Sequence, residues 1–328
     1  MIKKYNILFI FILFLSGCLD QKQKIRIIMD TDANNELDDQ HAIAYLLLND
    51  DYFDIEGLTV NTTSDGTENT SIDLHYDEAK RIVKLMDRQE NTRIYKGATQ
   101  TFAEIKDNVS QSEFDGHEAV NFIIERAKKI SDRKLVLLPI GKLTNIALAL
   151  YKEPSIITNI RIVWLGSNYP LPGEYNQVND LSALKYILST NAHFEIAIVR
   201  YGKSSGTDAV KVNISEIEEI MPGKGPIIDE PINGRHGGTF NNFGDYSVNL
   251  FRNYKENGNP PSRPLFDMAA VAILKNSSWA DSVTIPKPEL VDGNWIDKPE
   301  NTSYITIWEN FNSDEIINDF FSLFDSNN

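Results

Sequence analysis

Short apolar runs alternate with amphipathic stretches along most of the chain. The run Ile25–Met29 is typical of a buried strand, whereas Ile72–Met86 carries apolar residues at helical spacing. The same reasoning predicts strands at residues 55–60, 135–138, 160–165, 194–199 and 304–308, and helices at residues 42–48, 145–151, 181–188, 268–274 and 314–324. This alternation predicts an α/β fold with a mostly parallel central sheet flanked by helices on both faces.

Glycine and proline cluster between Met221 and Pro264. We interpret this stretch as a long irregular insertion beside the functional site. No shift in composition divides the rest of the chain, so we expect residues 25–328 to form one domain.

The first residues have the features of a lipoprotein signal peptide. Two lysines precede an apolar run at residues 7–15, and the sequence Leu-Ser-Gly-Cys ends at Cys18. This is the order of a secretory signal, and the run is too short to span a bilayer. We therefore expect cleavage of residues 1–17, lipidation of Cys18 and a polar tether at residues 18–24. The protein would then be lipid-anchored in a bacterial cell envelope, on the periplasmic or surface face of the outer membrane. The alternative is a buried N-terminal element with a free cysteine.

The charge balance excludes nucleic acid as a partner. The full chain has a net charge of −15, and loss of residues 1–17 would make it −17 because two lysines and no acids are removed. Binding of phosphate backbones requires clustered lysine and arginine instead. The single cysteine also rules out an intramolecular disulfide.

Four carboxylates follow the first predicted strand within ten residues: Asp30, Asp32, Asp38 and Asp39. Ligands of open α/β sheets bind beyond the carboxyl ends of the strands. Crowded carboxylates repel one another unless a cation or protons relieve them, and oxygen-only ligands suit calcium or magnesium. A carboxylate left free of the metal is a candidate general base. The alternative is a solvated acidic loop that caps a helix.

The segment from Asp30 to Asp39, Asp-Thr-Asp-Ala-Asn-Asn-Glu-Leu-Asp-Asp, resembles the signature Asp-x-Asp-Pro-Gly-x-Asp-Asp of inosine-uridine preferring nucleoside hydrolases. It departs from that signature by lacking Pro-Gly and by having five residues rather than three between Asp32 and Asp38. Three further segments resemble family motifs in the family's order: Gly-Lys-Leu-Thr-Asn at 141–145, Gly-Glu-Tyr-Asn at 173–176 and Phe-Asp-Met-Ala-Ala-Val-Ala at 266–272. The resemblance implies a Rossmann-like nucleoside hydrolase fold.

The resemblance also implies a metal site and a reaction. Calcium would be held by the carboxylates of Asp32, Asp39 and Asp267 and by the main-chain carbonyl of Thr144, which could equally serve as a helix cap. Asp38 would activate a calcium-bound water to attack the anomeric carbon of a ribonucleoside, releasing ribose and base. Asp30 would orient a neighbouring residue rather than bind the metal.

The resemblance places Glu174 and Asn176 on the sugar hydroxyls, since a carboxylate and an amide suit a vicinal diol. Asn168 matches a further ribose-contacting asparagine. For the asparagine that follows the second strand, a count back from the next helix favours Asn69, and Asn61, closer to the strand, is the alternative.

The leaving group is less well defined. Phe266 stands where members preferring inosine and uridine have a histidine; it can stack on a base but cannot donate a proton. His236 lies in a glycine-rich stretch that suits a mobile loop, so it is our candidate for the missing acid. A surface turn is the alternative for His236.

Two alternative functions remain open. The altered aspartate loop and Phe266 are compatible with a non-catalytic surface lipoprotein that binds calcium and ribose. The substrate of a hydrolase need not be a nucleoside, because another N-riboside such as nicotinamide riboside carries the same bond. A haloacid dehalogenase type of phosphotransferase would leave Glu174, Asn176 and Asp267 unexplained. Analogy with the family is compatible with a homo-oligomer, and the sequence alone does not define the oligomeric state.

Overall fold

The computed structural model describes residues 23–63 and 71–326. The predicted signal peptide, Cys18, most of the predicted tether and Asn69 lie outside the described residues. Within the described ranges, no helix combines the length and the apolar character needed to cross a bilayer.

The strands of the described residues are mostly short, and those at the centre of the main sheet are almost fully buried. Their bounds are β1 (Ile25–Thr31), β2 (Phe53–Val60), β3 (Ile94–Lys96), β4 (Leu135–Pro139), β5 (Ile160–Leu165), β6 (Phe194–Ala197), β7 (Lys211–Val212), β8 (Ile232–Asn233), β9 (Thr239–Phe240), β10 (Arg263–Pro264), β11 (Asp281–Pro286), β12 (Glu289–Val291), β13 (Asn294–Ile296) and β14 (Tyr304–Glu309).

The helices occupy much of the chain between these strands. Their bounds are α1 (Asp38–Leu48), α2 (Ile72–Leu85), α3 (Phe102–Ile105), α4 (His117–Lys128), α5 (Thr144–Lys152), α6 (Tyr175–Asn179), α7 (Leu181–Ser189), α8 (Ile214–Ile220), α9 (Phe243–Asn253), α10 (Phe266–Lys275) and α11 (Ser313–Ser326). Short 3₁₀ helices lie at Lys106–Asn108, Pro154–Thr158, Thr207–Ala209 and Ser277–Trp279.

The main sheet has eight strands in the order β11-β14-β6-β5-β4-β1-β2-β3. All neighbouring pairs are parallel except β11 with β14. The predicted α/β class and mostly parallel sheet are therefore confirmed. Most predicted elements also agree with the observed ones to within a few residues, because long apolar runs in a parallel sheet are buried on both faces.

Two apolar cores lie on opposite faces of this sheet. On β1, the side chains of Ile27 and Met29 enter one core and that of Ile28 enters the other, as the alternation of side chains along a strand requires. Residues of α1, α2, α9, α10 and α11 form the first core, and residues of α4, α5 and α7 contribute to the second.

The prediction of a long irregular segment between Met221 and Pro264 is wrong in part. This stretch contains the hairpin of β8 and β9 and the helix α9, whose side chains Phe243, Tyr246 and Phe251 are buried in the first core. Asn242 caps the helix by accepting a hydrogen bond from the Asp245 amide at 2.8 Å. The flanking glycines masked this amphipathic helix in the sequence.

Candidate active site

Two helices that pack against each other begin at the same place, beyond the carboxyl end of β1. The helix α1 begins with Asp38 and Asp39, and α10 carries Asp267 in its first turn. Carboxylate oxygens of these three residues all lie within 4.8 Å of one another. The positive ends of two helix dipoles favour negative charge at this point, and the packing of α1 on α10 brings the acids together.

Burial makes this group of acids electrostatically unfavourable. Removal from water, followed by the charge of Asp39, raises the pKa of Asp38 to about 8. Burial also raises the pKa of Asp39 to about 6, although hydrogen bonds from Thr31 and the Asp32 amide and the charge of Arg235 oppose the shift. The pKa of Asp267 is raised by burial and then by Asp38. Two carboxylates about 4–5 Å apart repel by roughly 3–4 kcal/mol at an effective dielectric constant of about 20.

Asp32 belongs to the same cluster. It is 2% exposed, and burial together with the charges of Asp39 and Asp38 raises its pKa. The residue opposite it is Gly141, where a Cβ atom would lie 2.8 Å from Asp32 Oδ1 and 3.1 Å from Asn61 Oδ1. Glycine is required at 141 because those two side chains occupy the space.

Asp30 has a different role from its neighbours. Its carboxylate accepts hydrogen bonds from Thr59 Oγ1 at 2.6 Å, Asn61 Nδ2 at 2.8 Å and Asn145 Nδ2 at 2.7 Å. Burial raises the pKa of Asp30 to about 6, against these bonds and the charge of Lys142. Asp30 thus holds β1, the end of β2 and the start of α5 together.

The acids open into a cavity of about 140 Å³. It is lined by Asp32, Asn35, Glu36, Asp38, Asp39, Ile140, Leu165, Glu174, Tyr175, Asn176, Val199, Tyr201, Phe266 and Asp267. The predicted residues Asp32, Asp38, Asp39, Glu174, Asn176, Phe266 and Asp267 are therefore brought together.

Glu174 and Asn176 line the same cavity as the aspartates, and hydrogen bonds fix both side chains. Glu174 caps α6 and accepts from the amides of Ser167 at 2.7 Å, Asn176 at 2.9 Å and Gln177 at 2.8 Å. Asn176 Nδ2 donates to the carbonyls of Ile140 at 2.9 Å and Leu165 at 3.1 Å. With both amide hydrogens used, Asn176 can offer a ligand only its carboxamide oxygen.

An aromatic pair forms another part of the wall. The rings of Phe266 and Tyr201 meet edge to face, with centroids 5.8 Å apart and planes at 87°. Tyr201 closely follows β6, so the rule that sites lie beyond strand ends could have identified it. Asn168 does not line the cavity, but its Oδ1 accepts from the Tyr201 amide at 3.2 Å.

The sequence profile of inosine-uridine preferring nucleoside hydrolases matches residues 27–312. The chain belongs to the nucleoside hydrolase family. It is therefore an enzyme of the N-glycosyl hydrolase class, and its substrate class is the nucleosides. Among curated proteins, none matches the sequence.

Solved nucleoside hydrolases share this fold. A plant nucleoside hydrolase superimposes with a TM-score of 0.71 at 14% identity, covering 92% of this chain and 99% of its own. A purine-preferring ribonucleoside hydrolase from Gardnerella vaginalis gives 0.67 at 18% identity, covering 92% and 98%. An inosine-uridine preferring nucleoside hydrolase from Bacillus anthracis gives 0.62 at 17% identity, covering 93% and 100%. At these identities the likeness shows the fold alone.

Besides Asn168, two more predicted site residues of this nucleoside hydrolase lie away from the cavity wall. Thr144 is buried at the start of α5, where its hydroxyl donates to Asp180 Oδ2 at 2.6 Å, and the N-cap residue is Leu143. From the same turn, Ile140 reaches the wall instead, and sequence reasoning missed it. His236 is exposed and accepts a hydrogen bond from Arg235 Nε at 3.1 Å. Partial removal of its ring from water, together with the charges of Arg235 and Arg81, lowers the pKa of His236.

The donor set fits a hard divalent cation. Oxygen ligands of calcium lie roughly 2.3–2.6 Å from the ion, so two of them are at most about 5 Å apart. Asp38, Asp39 and Asp267 meet that limit, whereas Asp32 is not part of that group of three. Among the described residues that line the cavity, none is basic. The buried Asn61 Oδ1, which also lacks a hydrogen-bond partner among the described residues, adds another oxygen near Asp32. Metal binding would relieve the repulsion that burial imposes on these acids.

Proposed function

We propose that this nucleoside hydrolase cleaves the N-glycosidic bond of ribonucleosides with the help of bound calcium, and that Asp38 is the general base. The observation that carries the proposal is the convergence of Asp38, Asp39 and Asp267 within 4.8 Å in the wall of a cavity. The same cavity is lined by Glu174 and Asn176.

The metal would be held by Asp32, Asp39 and Asp267, and the Ile140 carbonyl now joins the Thr144 carbonyl as a candidate main-chain ligand. When bound, calcium supplies positive charge that neutralises the acids and lowers the pKa of water beside it. The all-oxygen donor set favours calcium or magnesium over softer metals. The resemblance to the family signature favours calcium.

Asp38 is suited to accept a proton from the attacking water. It is the first residue of α1, the residue is 8% exposed, and it lines the cavity. Without a cation the raised pKa keeps much of this carboxyl protonated at neutral pH. A neighbouring cation favours the ionised form, which is the form that accepts a proton.

Glu174 and Asn176 would bind the sugar through oxygen acceptors. The main-chain amides of Ser167, Asn176 and Gln177 occupy most of the acceptor positions of Glu174, and the Tyr175 amide also acts on it, so its negative charge rather than a free lone pair is its main contribution to sugar binding. Because both side chains are fixed before substrate arrives, they need no reorganisation. Their partial and full negative charges also favour the oxocarbenium-like transition state of glycoside cleavage.

A second candidate substrate class is favoured by one observation. Histidine, lysine and arginine are absent from the described residues that line the cavity, whereas carboxylates are abundant there. A base that must be protonated to leave would find its strongest acids among carboxyls and phenols. In a cationic riboside such as nicotinamide riboside, the base leaves as a neutral molecule and needs no protonation. The acidic wall of the cavity attracts the positive charge of such a substrate.

The test is ribose release by the purified protein from purine, pyrimidine and nicotinamide ribosides, with calcium and with chelator. Calcium-dependent release from any of them supports the proposal, and the ratio of kcat/KM values identifies the leaving group. Tight calcium binding with no release from the whole panel would instead support a non-catalytic calcium and ribose-binding protein.

We also propose that the mature protein is anchored by lipid at Cys18. The support is the order of positive residues, apolar run and Leu-Ser-Gly-Cys in the sequence. Labelled fatty acid should enter the wild-type protein in a bacterial host, and Cys18→Ala should prevent both labelling and recovery in the membrane fraction. Labelling that persists in Cys18→Ala would refute this anchor.

A further inference from the structure

The loop Ala33–Leu37 is the segment in which this chain departs from the family signature. It separates Asp32 from Asp38 by five residues and brings Asn35 and Glu36 to the cavity wall. Among the described residues, its main-chain groups make a single hydrogen bond to another main-chain group, from the Asn35 amide to the carbonyl of Asp32, just before the loop, at 2.9 Å. The conformation of the loop must therefore be fixed largely from outside.

Part of that fixation comes from neighbouring helices, since Gln40 Nε2 donates to the Glu36 carbonyl at 3.1 Å and the Asn34 amide donates to His75 Nδ1 at 3.2 Å. Arg235 supplies another part. It lies between β8 and β9, and its guanidinium donates to the carbonyls of Ala33 and Asn35, each at 3.3 Å. The same group donates to the hydroxyl of Tyr254 and lies 5.5 Å from the centre of the Tyr254 ring. Among the described residues, none of its hydrogen-bond partners is a carboxylate, so Arg235 bridges carbonyl groups rather than pairing with an acid.

Tyr254 and Arg263 complete the contact. The Tyr254 hydroxyl donates to the Asn35 carbonyl at 3.0 Å. This carbonyl therefore accepts hydrogen bonds from two side chains, Tyr254 and Arg235. Arg263 lies 5.7 Å from the centre of the Tyr254 ring on one side and pairs with Glu36 on the other. Residues from two distant segments of the chain thus hold both Asn35 and Glu36.

The segment that carries Arg235 is itself anchored to α2. Arg81 Nε donates to the carbonyl of Asn233 at 2.7 Å, and Arg81 also pairs with the buried Glu78. Glu78 accepts from Tyr246 on α9 at 2.7 Å and from Gln40 on α1 at 3.1 Å. This network ties the hairpin to the helix that begins at Asp38.

We propose that Arg235, assisted by Tyr254, is a positioning residue that clamps the Ala33–Leu37 loop so that Asp32 and Asp38 at its two ends stay directed into the metal site. The clamp restricts a loop that lacks the proline of the family signature, whose ring would have fixed one backbone angle. The inference rests on the proposed function for the identity of the cation, but the clamp itself can be tested without activity.

Electrostatics and positioning predict opposite results when Arg235 is removed. Arg235 lies close enough to Asp39 for its charge to act on that carboxylate. If Arg235 mattered only as a charge, a neutral replacement would make the site more negative and tighten calcium binding. If Arg235 positions the loop, its loss weakens calcium binding, since residues that orient metal ligands typically contribute about 10–100-fold in affinity.

The experiment compares the full-length wild-type protein with Arg235→Met and Arg235→Lys. We expect calcium titration calorimetry to show affinity about tenfold or more weaker in both variants, because the ammonium group keeps the charge but cannot span two carbonyls. Hydrogen exchange should quicken in the peptide that contains Ala33–Leu37. Tyr254→Phe keeps the ring, removes one hydrogen bond to Asn35 and should produce a smaller loss in the same direction.

Arg252→Met is the matched control, since Arg252 lies on α9 and forms an exposed pair with Glu218. It should leave both calcium affinity and loop exchange unchanged. Calcium binding that is unchanged or tighter in Arg235→Met, with loop exchange as in wild type, would overturn the proposal. If wild type binds no calcium, the proposed cofactor is wrong, and the exchange data from Arg235→Met and Tyr254→Phe still decide whether the clamp exists.

Discussion

Buried acids occur at two ends of the main sheet, and their surroundings differ. Near the amino ends of the strands, Glu56 pairs with Arg26 at 2.6 Å and also with Arg126. Near the start of β6, Glu195 accepts from Arg161 Nη2 at 2.9 Å and from Trp308 Nε1 at 2.7 Å. Beyond the carboxyl ends, the buried aspartates of the cavity face one another.

This difference separates acids that stabilise the fold from acids that are held ready for a ligand. Burial acts to raise the pKa of Glu195, but the hydrogen bonds and charge of Arg161, with the Trp308 hydrogen bond and the charge of His193, lower it overall. The pKa values of Asp32, Asp38, Asp39 and Asp267 are all raised. A protein tolerates such a cluster where function requires it, since perturbed groups concentrate at functional sites.

The largest expected effect is on turnover. Asp38→Asn removes the proposed base while preserving shape, and we expect kcat to fall about 10²–10⁴-fold with KM little changed. Steady-state kinetics with the best riboside of the panel, under saturating calcium, measures both constants. Equal loss of substrate binding and turnover would contradict the role of Asp38, and an equal fall in Glu56→Gln would break the comparison between the two sets of acids.

The next effect is on folding stability and has opposite signs at the two ends. Glu56→Gln leaves Arg26 without its buried partner and should lower the free energy of unfolding by about 3 kcal/mol. Asp32→Asn should instead raise the stability of the calcium-free protein, because it removes a repelling charge. Urea titrations in chelator measure both. Destabilisation by Asp32→Asn of similar size would mean that the cavity acids are structural.

Calcium should stabilise the wild-type protein by relieving the same repulsion. A free concentration of about one hundred times Kd adds roughly 2.7 kcal/mol to the unfolding free energy, which raises Tm by several degrees. Differential scanning calorimetry with calcium or chelator tests this, and Asp267→Asn is expected to lose most of the rise. An unchanged Tm at saturating calcium would exclude binding that is specific to the folded state.

The smallest expected effect is the pH dependence of the calcium-free protein. The pKa of Asp38 is raised from 3.8 to about 8, so its folded form holds the proton more tightly, and this contribution to stability is lost as pH rises through about 8. Tm in chelator should therefore increase as pH falls from about 8.5 to about 6.5. Below that range His41, whose pKa is lowered to about 4 by burial, favours unfolding. Calcium should flatten the slope of Tm against pH. If calcium leaves that slope unchanged, the pH dependence belongs to groups other than the cavity acids.

Much of the fold could be predicted because local patterns and tertiary burial agree. β5 was predicted at its observed bounds, and α10 was recognised from its run of alanines and apolar residues. The helix α9 was missed because its neighbours are turn residues and its apolar face is recognisable only against the core. Within the site, the motif alone does not decide whether Thr144 or Ile140 reaches the cavity, because that depends on how the chain leaves β4.

The sequence by itself determined that strands and helices alternate, that acids follow the first strand and that the later motifs occur in the order typical of the family. These properties are local, because they follow from spacing and residue type. Only the tertiary structure decided that α1 and α10 begin side by side, that His236 is exposed and that Arg235 holds the Ala33–Leu37 loop. Some of those contacts join residues more than two hundred positions apart. Long-range packing selects them, and no local pattern encodes it.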